Sequence, residues 1–211
     1  MELFQYLIDN YGYDEPILSE DLNNKLNYKN TTLRQNLKRL VDNGQLERYK
    51  LGIYYIPKPN SLLKKGSLSF NKVISKKYLY DEDKIIGYRS GIAFANDLKL
   101  TTQTPGSIEV VTNKETNRKR NVKIGKQRVI LRKPRTKITD VNYKVLQALD
   151  LIANINKYSD KTLARTLENI SKYLEDVKLN KDEIDEIIKA YPMKTKVMVY
   201  ESGLYDVLTR R

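Results

Sequence analysis

Apolar positions recur with helical spacing from the first residues. Leu3, Phe4, Leu7 and Ile8 line one face of a segment that ends near Gly12. Ser19 then caps a short helix, Glu20 to Leu26, which turns Leu22 and Leu26 inward, and Asn27 to Asn30 make a turn. The clearest stretch runs from Asn30 to Asn43 and is closed by Gly44, with Leu33, Leu37, Leu40 and Val41 on one face. Asn30, Thr31 and Thr32 are candidate N-caps, Thr32 with Gln35 fits a capping box, and Gly44 suits a C-terminus. Beyond it the period shortens to that of strands, over Leu46–Lys50 and Ile53–Ile56, joined around Leu51-Gly52.

This order of helix, helix, turn, helix and hairpin within about sixty residues predicts a winged helix-turn-helix. Opposite the leucines of the third helix lie Thr31, Arg34, Gln35 and Lys38. Arg and Gln suit guanine and adenine edges in a major groove, and Lys suits phosphate or guanine. The candidate DNA-binding set is therefore Thr31, Thr32, Arg34, Gln35 and Lys38, with Tyr49, Lys50 and Tyr54 on or near the wing. The competing reading is a winged helix that contacts only protein. Residues 1–60 carry eight Lys/Arg and eight Asp/Glu, and that balance favours it, since phosphate contacts need cations.

Pro57-Lys58-Pro59-Asn60-Ser61 interrupts both helix and ladder and reads as a linker. Helical spacing resumes over Asn71–Leu79 and Ser90–Leu98, followed by a β-branched strand, Ser107–Thr112. From Asn142 onward the period is helical throughout. Val145, Leu146, Leu149 and Ile152 form one face, and Leu163, Leu167, Ile170 and Leu174 another. Asn180 with Glu183 forms a capping box before Ile184, Ile187 and Ile188; Tyr191-Pro192 ends that helix, and Met193–Leu208 makes the last one. These stripes read as core. No heptad register is long enough for a coiled coil.

Three stretches resemble a known family. Ile86-Gly87-Tyr88-Arg89-Ser90-Gly91 with its small-residue helix, Leu100-Thr101-Thr102-Gln103-Thr104-Pro105, and the strand Ile108-Glu109-Val110-Val111-Thr112 look like the AbiEi-type antitoxins of bacterial type IV toxin–antitoxin, or abortive infection, systems. The N-terminal winged helix and short linker fit the same family, and the helices after residue 140 match it in pattern only. The resemblance implies a DNA-binding autorepressor acting at inverted repeats upstream of its own operon. It also implies a functional partner, a nucleotidyltransferase toxin, opposed without a stable complex.

Charge sharpens one further region. The net charge is +13, and residues 61–150 alone hold 20 Lys/Arg against eight Asp/Glu. Residues 114–137 hold eleven Lys/Arg and one acid, Glu115. Val122 and Ile124 alternate with Lys123, and Val129 and Leu131 with Arg128 and Arg132, as in strands with one buried face; Asn117–Asn121 is the expected hairpin turn. Arg118, Lys119, Arg120, Lys123, Lys126, Arg128, Arg132, Lys133 and Arg135 thus form a candidate basic patch for DNA, RNA or an acidic protein face. An exposed sheet face kept soluble by its charge is the plainer reading.

Composition removes whole classes of chemistry. The chain has no Cys and no His, hence no thiolate or imidazole metal ligand, no cysteine nucleophile and no histidine base. Ser90 and Ser107 lack a histidine partner, and no Walker A or G-x-G-x-x-G sequence is present. The nearest nuclease-like pair is Asp97 and Glu109, but Val111 stands where such sites use lysine. Asp81-Glu82-Asp83 reads as a solvated loop. No cofactor, metal or catalytic residue is expected, and the chain reads as a non-enzyme. Without a membrane-length apolar run or a basic leader, a cytoplasmic protein, monomeric or weakly dimeric, is expected.

The sequence thus predicts an α+β chain. Residues 1–57 form a winged helix-turn-helix, 58–61 a linker, and 62–211 a mixed α/β domain with basic β region 107–137 and helices over 141–208. Two other functions fit the same features: a ligand-responsive winged-helix transcription regulator, and an RNA-binding protein acting through residues 114–137.

Overall fold

Leu3 and Leu7 stand four apart on the first helix, α1 (Leu3–Tyr11), and both are buried. Gly12 closes it at φ +72°, where its N–H reaches the Ile8 carbonyl. The computed structural model describes residues 2–59 and 68–209. The chain divides into two units, Met1–Lys77 and Tyr78–Arg211, each described by itself. Part of the expected linker, Asn60 and Ser61, lies outside the described residues.

In the first unit, strand β1 (Ile17–Leu18) leads directly into α2 (Ser19–Lys25), then α3 (Asn30–Asp42). A hairpin follows, β2 (Glu47–Lys50) and β3 (Ile53–Tyr55). The two residues of β1 were not expected as a strand. They pair antiparallel with β3, so the sheet has three strands in the order β1-β3-β2. Leu7, Ile17, Leu22, Leu33, Leu37 and Leu46 fill the core. Gly52 turns the hairpin at φ +76°, and its carbonyl accepts the Ser19 N–H at 3.0 Å. The expected capping of α3 does not occur. Lys29 occupies the N-cap and no side chain caps it, because helical geometry begins at Asn30 and takes Thr31 and Thr32 into the first turn. The helix expected over Asn71–Leu79 starts one residue earlier as α4 (Phe70–Ile74) and widens into a π-helical turn over Ser75–Leu79.

The second unit begins with a two-residue ribbon, β4 (Tyr80–Asp81) and β5 (Lys84–Ile85), and then a four-stranded sheet with helices. Strand β6 (Gly87–Ser90) feeds α5 (Gly91–Asp97); β7 (Ile108–Thr112), β8 (Arg120–Ile124) and β9 (Gln127–Arg132) follow. The sheet order is β6-β7-β9-β8, with β7 and β9 parallel and the other pairs antiparallel. One strand here is new and one expectation is corrected. Gly87–Ser90 is a strand, and the hairpin turn is Gly125-Lys126, with Gly125 at φ +58°. Of Asn117–Asn121, residues 117–119 are instead the end of a crossover that carries the chain past the place of β9 to the sheet edge, and Arg120 and Asn121 already belong to β8.

A helical layer completes this unit: α6 (Tyr143–Ile152), α7 (Ile155–Tyr158), α8 (Leu163–Tyr173), α9 (Lys181–Lys189), α10 (Met193–Glu201) and α11 (Leu204–Thr209). The expected single helix over Met193–Leu208 is two, broken at Gly203 with φ +81°. The Asn180–Glu183 capping box forms as expected. Tyr88 and Val111 of the sheet pack into one core with Leu146, Leu149, Ile170 and Ile184. Val110, Ile124, Val129 and Leu131, on the opposite sheet face, are buried too. The β9 alternation is therefore not apolar against solvent throughout: Arg132 lies on the face that meets the helices. No helix among the described residues is long and apolar enough to cross a membrane.

Candidate nucleic-acid interface

Helix α3 buries Leu33, Leu37 and Leu40 and leaves Thr31, Thr32, Arg34, Gln35 and Lys38 exposed. Beside it, the register of the hairpin sets Arg48 opposite Tyr54, with an irregularity between Arg48 and Lys50. Helix and hairpin together line a groove of about 590 Å³. Arg34 and Lys38 meet Arg48, Leu51 and Tyr54 there, whereas Thr31, Thr32 and Gln35 lie elsewhere on α3. Tyr49, half-buried, and Lys50, exposed, do not line the groove. Two contributors went unnoticed in the sequence. Arg48 adds a cation to the hairpin wall, and Leu51, 78 % exposed, forms its tip.

The basic region of the second unit resolves into two clusters. In β8–β9 the register sets Lys123 opposite Arg128, next to Lys126 in the turn. At the other end of the same strands, a cleft of about 560 Å³ gathers Arg118, Lys119, Arg132, Lys133 and Arg135. Arg128 and Arg132 stand four steps apart along β9, about 13 Å at the usual strand rise.

The opposite wall of the cleft carries Asn154 and Tyr158, brought by the turn into α7 and by α7 itself. Nothing in the sequence marked either residue. Glu109 supplies the one carboxylate of the lining, and it is engaged on both oxygens. Arg132 Nη1 donates to Oε2 at 3.4 Å, and the Tyr158 hydroxyl lies 3.5 Å from Oε1.

Arg132 also donates to Asp150 Oδ2 at 3.4 Å, and the Tyr88 hydroxyl donates to the same oxygen at 3.1 Å. Burial works against the Arg132 charge, but Asp150 and Glu109 more than offset it, so its pKa is raised. Burial raises the pKa of Asp150, with Arg132 opposing. Arg120, another member of the expected patch, donates to Glu115 at 2.8 Å. Burial works against the Glu115 charge, but the Asn117 N–H and Arg120 outweigh it and lower its pKa. That anchor shapes the crossover that presents Arg118 and Lys119. Among the described residues no salt bridge engages Arg118, Lys119, Lys133 or Arg135.

Two of the sequence stretches singled out above buttress this cleft. A Cβ on Gly87 would lie 2.1 Å from the Tyr78 carbonyl oxygen, so only glycine fits. Gly91, at φ +67°, leaves the room that the Glu109 carboxylate occupies. The Arg89 carbonyl accepts from Gln147 at 2.7 Å. Beyond α7, the Asp160 N–H donates to the Leu100 carbonyl at 3.0 Å, and the Thr101 hydroxyl donates to Asp160 at 2.6 Å. Gly91 thus fits one wall of the cleft, and the Leu100–Thr101 pair ties down the other. With one carboxylate, already doubly engaged, and five cations in its lining, the cleft has the chemistry to accept an anion.

A family model matches residues 17–182 of the chain, and its description is a family of unknown function (DUF6088). No curated protein matches the chain.

Proposed function

Because the chain belongs to the DUF6088 family, a membership silent on role, we propose its function from its own residues. It is a DNA-binding antitoxin of a type IV toxin–antitoxin system, which represses its own operon and counteracts a nucleotidyltransferase toxin. The observation that supports this best is α3, whose exposed Arg34, Gln35 and Lys38 stand beside a two-stranded hairpin. On this reading the first unit is a winged helix-turn-helix, α3 enters the major groove and the hairpin is the wing.

Arg34 reads guanine, Gln35 adenine, and Lys38 a base or phosphate, while Lys50 and Arg48 hold phosphates along the wing. The antitoxin half rests on the resemblance of Gly87–Gly91 and Leu100–Pro105 to the AbiEi type. The matching experiment places a reporter behind the DNA upstream of the gene and co-expresses the chain. The reading requires repression, together with rescue of cells expressing a neighbouring nucleotidyltransferase. Repression without any such neighbour, or without rescue, would instead make the chain a ligand-responsive regulator. The basic cleft is the observation that favours that second reading.

A further inference from the structure

We infer that the cleft between β9 and α7 binds a nucleoside polyphosphate, with its phosphates on the Arg118–Lys119 and Lys133–Arg135 side and its nucleoside toward Asn154 and Tyr158. Three observations carry this. The cations converge from separate segments, the crossover before β8 and the chain after β9, upon one concave space. Exposed cations that merely keep a sheet soluble have no reason to meet around a cavity. That cavity, about 560 Å³, is the size of a small-ligand site.

The second observation is an asymmetry of chemistry across the cleft. One side offers guanidinium and ammonium groups free of salt bridges among the described residues, suited to phosphate oxygens. The other offers the Asn154 amide, a donor and an acceptor together, and the half-buried Tyr158 ring. Glu109, bonded to Arg132 on one oxygen and Tyr158 on the other, keeps further lone pairs that can accept from a sugar hydroxyl. A bare polyphosphate would have no use for that second wall.

The third is the division of the basic region. A nucleic-acid strand lying along the sheet would use Lys123, Lys126 and Arg128 as well, yet these lie at the far end of β8–β9 and outside the cleft. The walls themselves are built firmly. Arg132 is held by Glu109 and Asp150, and the residue after next beyond Tyr158, Asp160, is tied to Leu100 and Thr101. Such preorganisation favours a defined ligand over a diffuse cloud of counterions.

The test is calorimetric titration of the full chain with ATP and GTP at about 150 mM salt, chosen to screen non-specific attraction. Inorganic tripolyphosphate, adenosine and a twelve-nucleotide single-stranded RNA serve as comparators. Saturable one-to-one binding of at least one nucleotide is expected, tighter than tripolyphosphate or adenosine. The exposed pair Arg118→Ala/Lys133→Ala should weaken it at least tenfold, and Lys123→Ala/Arg128→Ala should leave it within twofold. Asn154→Ala should weaken the nucleotide and leave tripolyphosphate unchanged.

Absence of saturable nucleotide binding overturns the inference. So does tripolyphosphate binding as tightly as the nucleotide, or equal loss from the two double variants. RNA that displaces the nucleotide and depends on Lys123 and Arg128 would replace the inference with a strand-binding sheet. Every variant here lies in the second unit, and the DNA-reading residues lie in the first, so either assignment can fail while the other stands.

Discussion

Replacing Arg132 with methionine tests the polar network that joins the cleft to the core. Methionine keeps the apolar stem of the side chain and removes the guanidinium with its charge. Asp150, 5 % exposed, is then left with hydroxyl partners and only the more distant charge of Arg135. Breaking a buried ion pair from one side costs roughly 3–5 kcal/mol. Arg132 is itself 24 % exposed and its contacts are 3.4 Å long, so the lower end applies, about 3 kcal/mol at neutral pH.

The sign of the pH dependence follows from Asp150. Its folded-state pKa is already raised by burial, with Arg132 opposing, and loss of Arg132 raises it further. A carboxyl whose pKa is raised in the folded state stabilises below its unfolded value, near 3.9, and loses that contribution as pH climbs through the folded value. The penalty should therefore be largest near pH 7.5 and smaller at an acid pH such as 5.5, since proton uptake by Asp150 relieves it, by at most about 1.4 kcal/mol per pH unit. Guanidinium unfolding followed by circular dichroism at both pH values measures it, using the transition that belongs to the second unit. Arg132→Met/Asp150→Asn should recover most of the loss, since the asparagine oxygen still accepts from Tyr88. A loss below about 1 kcal/mol, or one identical at both pH values, would show that Arg132 does not neutralise Asp150.

Two further outcomes follow from the same unit. Gly91→Ala should lower stability by at least ~1–2 kcal/mol, since φ is +67° and the new Cβ would stand 3.0 Å from the Glu109 carboxylate, whereas Gly106→Ala, with nothing within 4 Å, should be neutral within ~1 kcal/mol; thermal melts of the two variants side by side read this. The Glu115 carboxyl has a lowered pKa, so its anchor on Asn117 and Arg120 is intact above the ordinary glutamate range and is lost as pH falls below it; the protection of the Asn117 amide, its hydrogen exchange relative to an unstructured amide at the same pH, should fall on that acid side and stay level between pH 6 and 8.

How much of this was legible in the sequence depends on how local each cause is. α3, the β2–β3 hairpin and the Asn180–Glu183 box are written in residues a few positions apart, and they form where the pattern places them. The strand β1 is two residues long, and only its pairing with the distant β3 makes it one. Gly87–Ser90 has a glycine at one end, a serine at the other and no apolar alternation, so it is visible as a strand only through its register with β7. The crossover before β8 was read as a turn because a parallel β7–β9 pair leaves no local mark. The same holds at the candidate sites. The basic residues were evident from composition, but their division into a cleft and a far cluster follows from register. Asn154 and Tyr158 carry no motif and join the cleft only because α7 is held against the Leu100–Thr101 segment. Glu109 was considered as half of a nuclease pair with Asp97, and it stands instead between Arg132 and Tyr158.

The central claim is that α3 reads operator DNA, and one measurement bears on it most directly. The full chain and its Arg34→Ala variant are titrated against the DNA upstream of the gene, at about 150 mM salt with excess random-sequence competitor, since a net charge of +13 ensures some non-specific attraction at low salt. The account predicts that the parent binds its operator through the competitor and that Arg34→Ala loses about 1–3 kcal/mol, concentrated at one base pair of each half-site. Equal affinity for operator and random DNA, with Arg34→Ala indistinguishable from the parent, would contradict it.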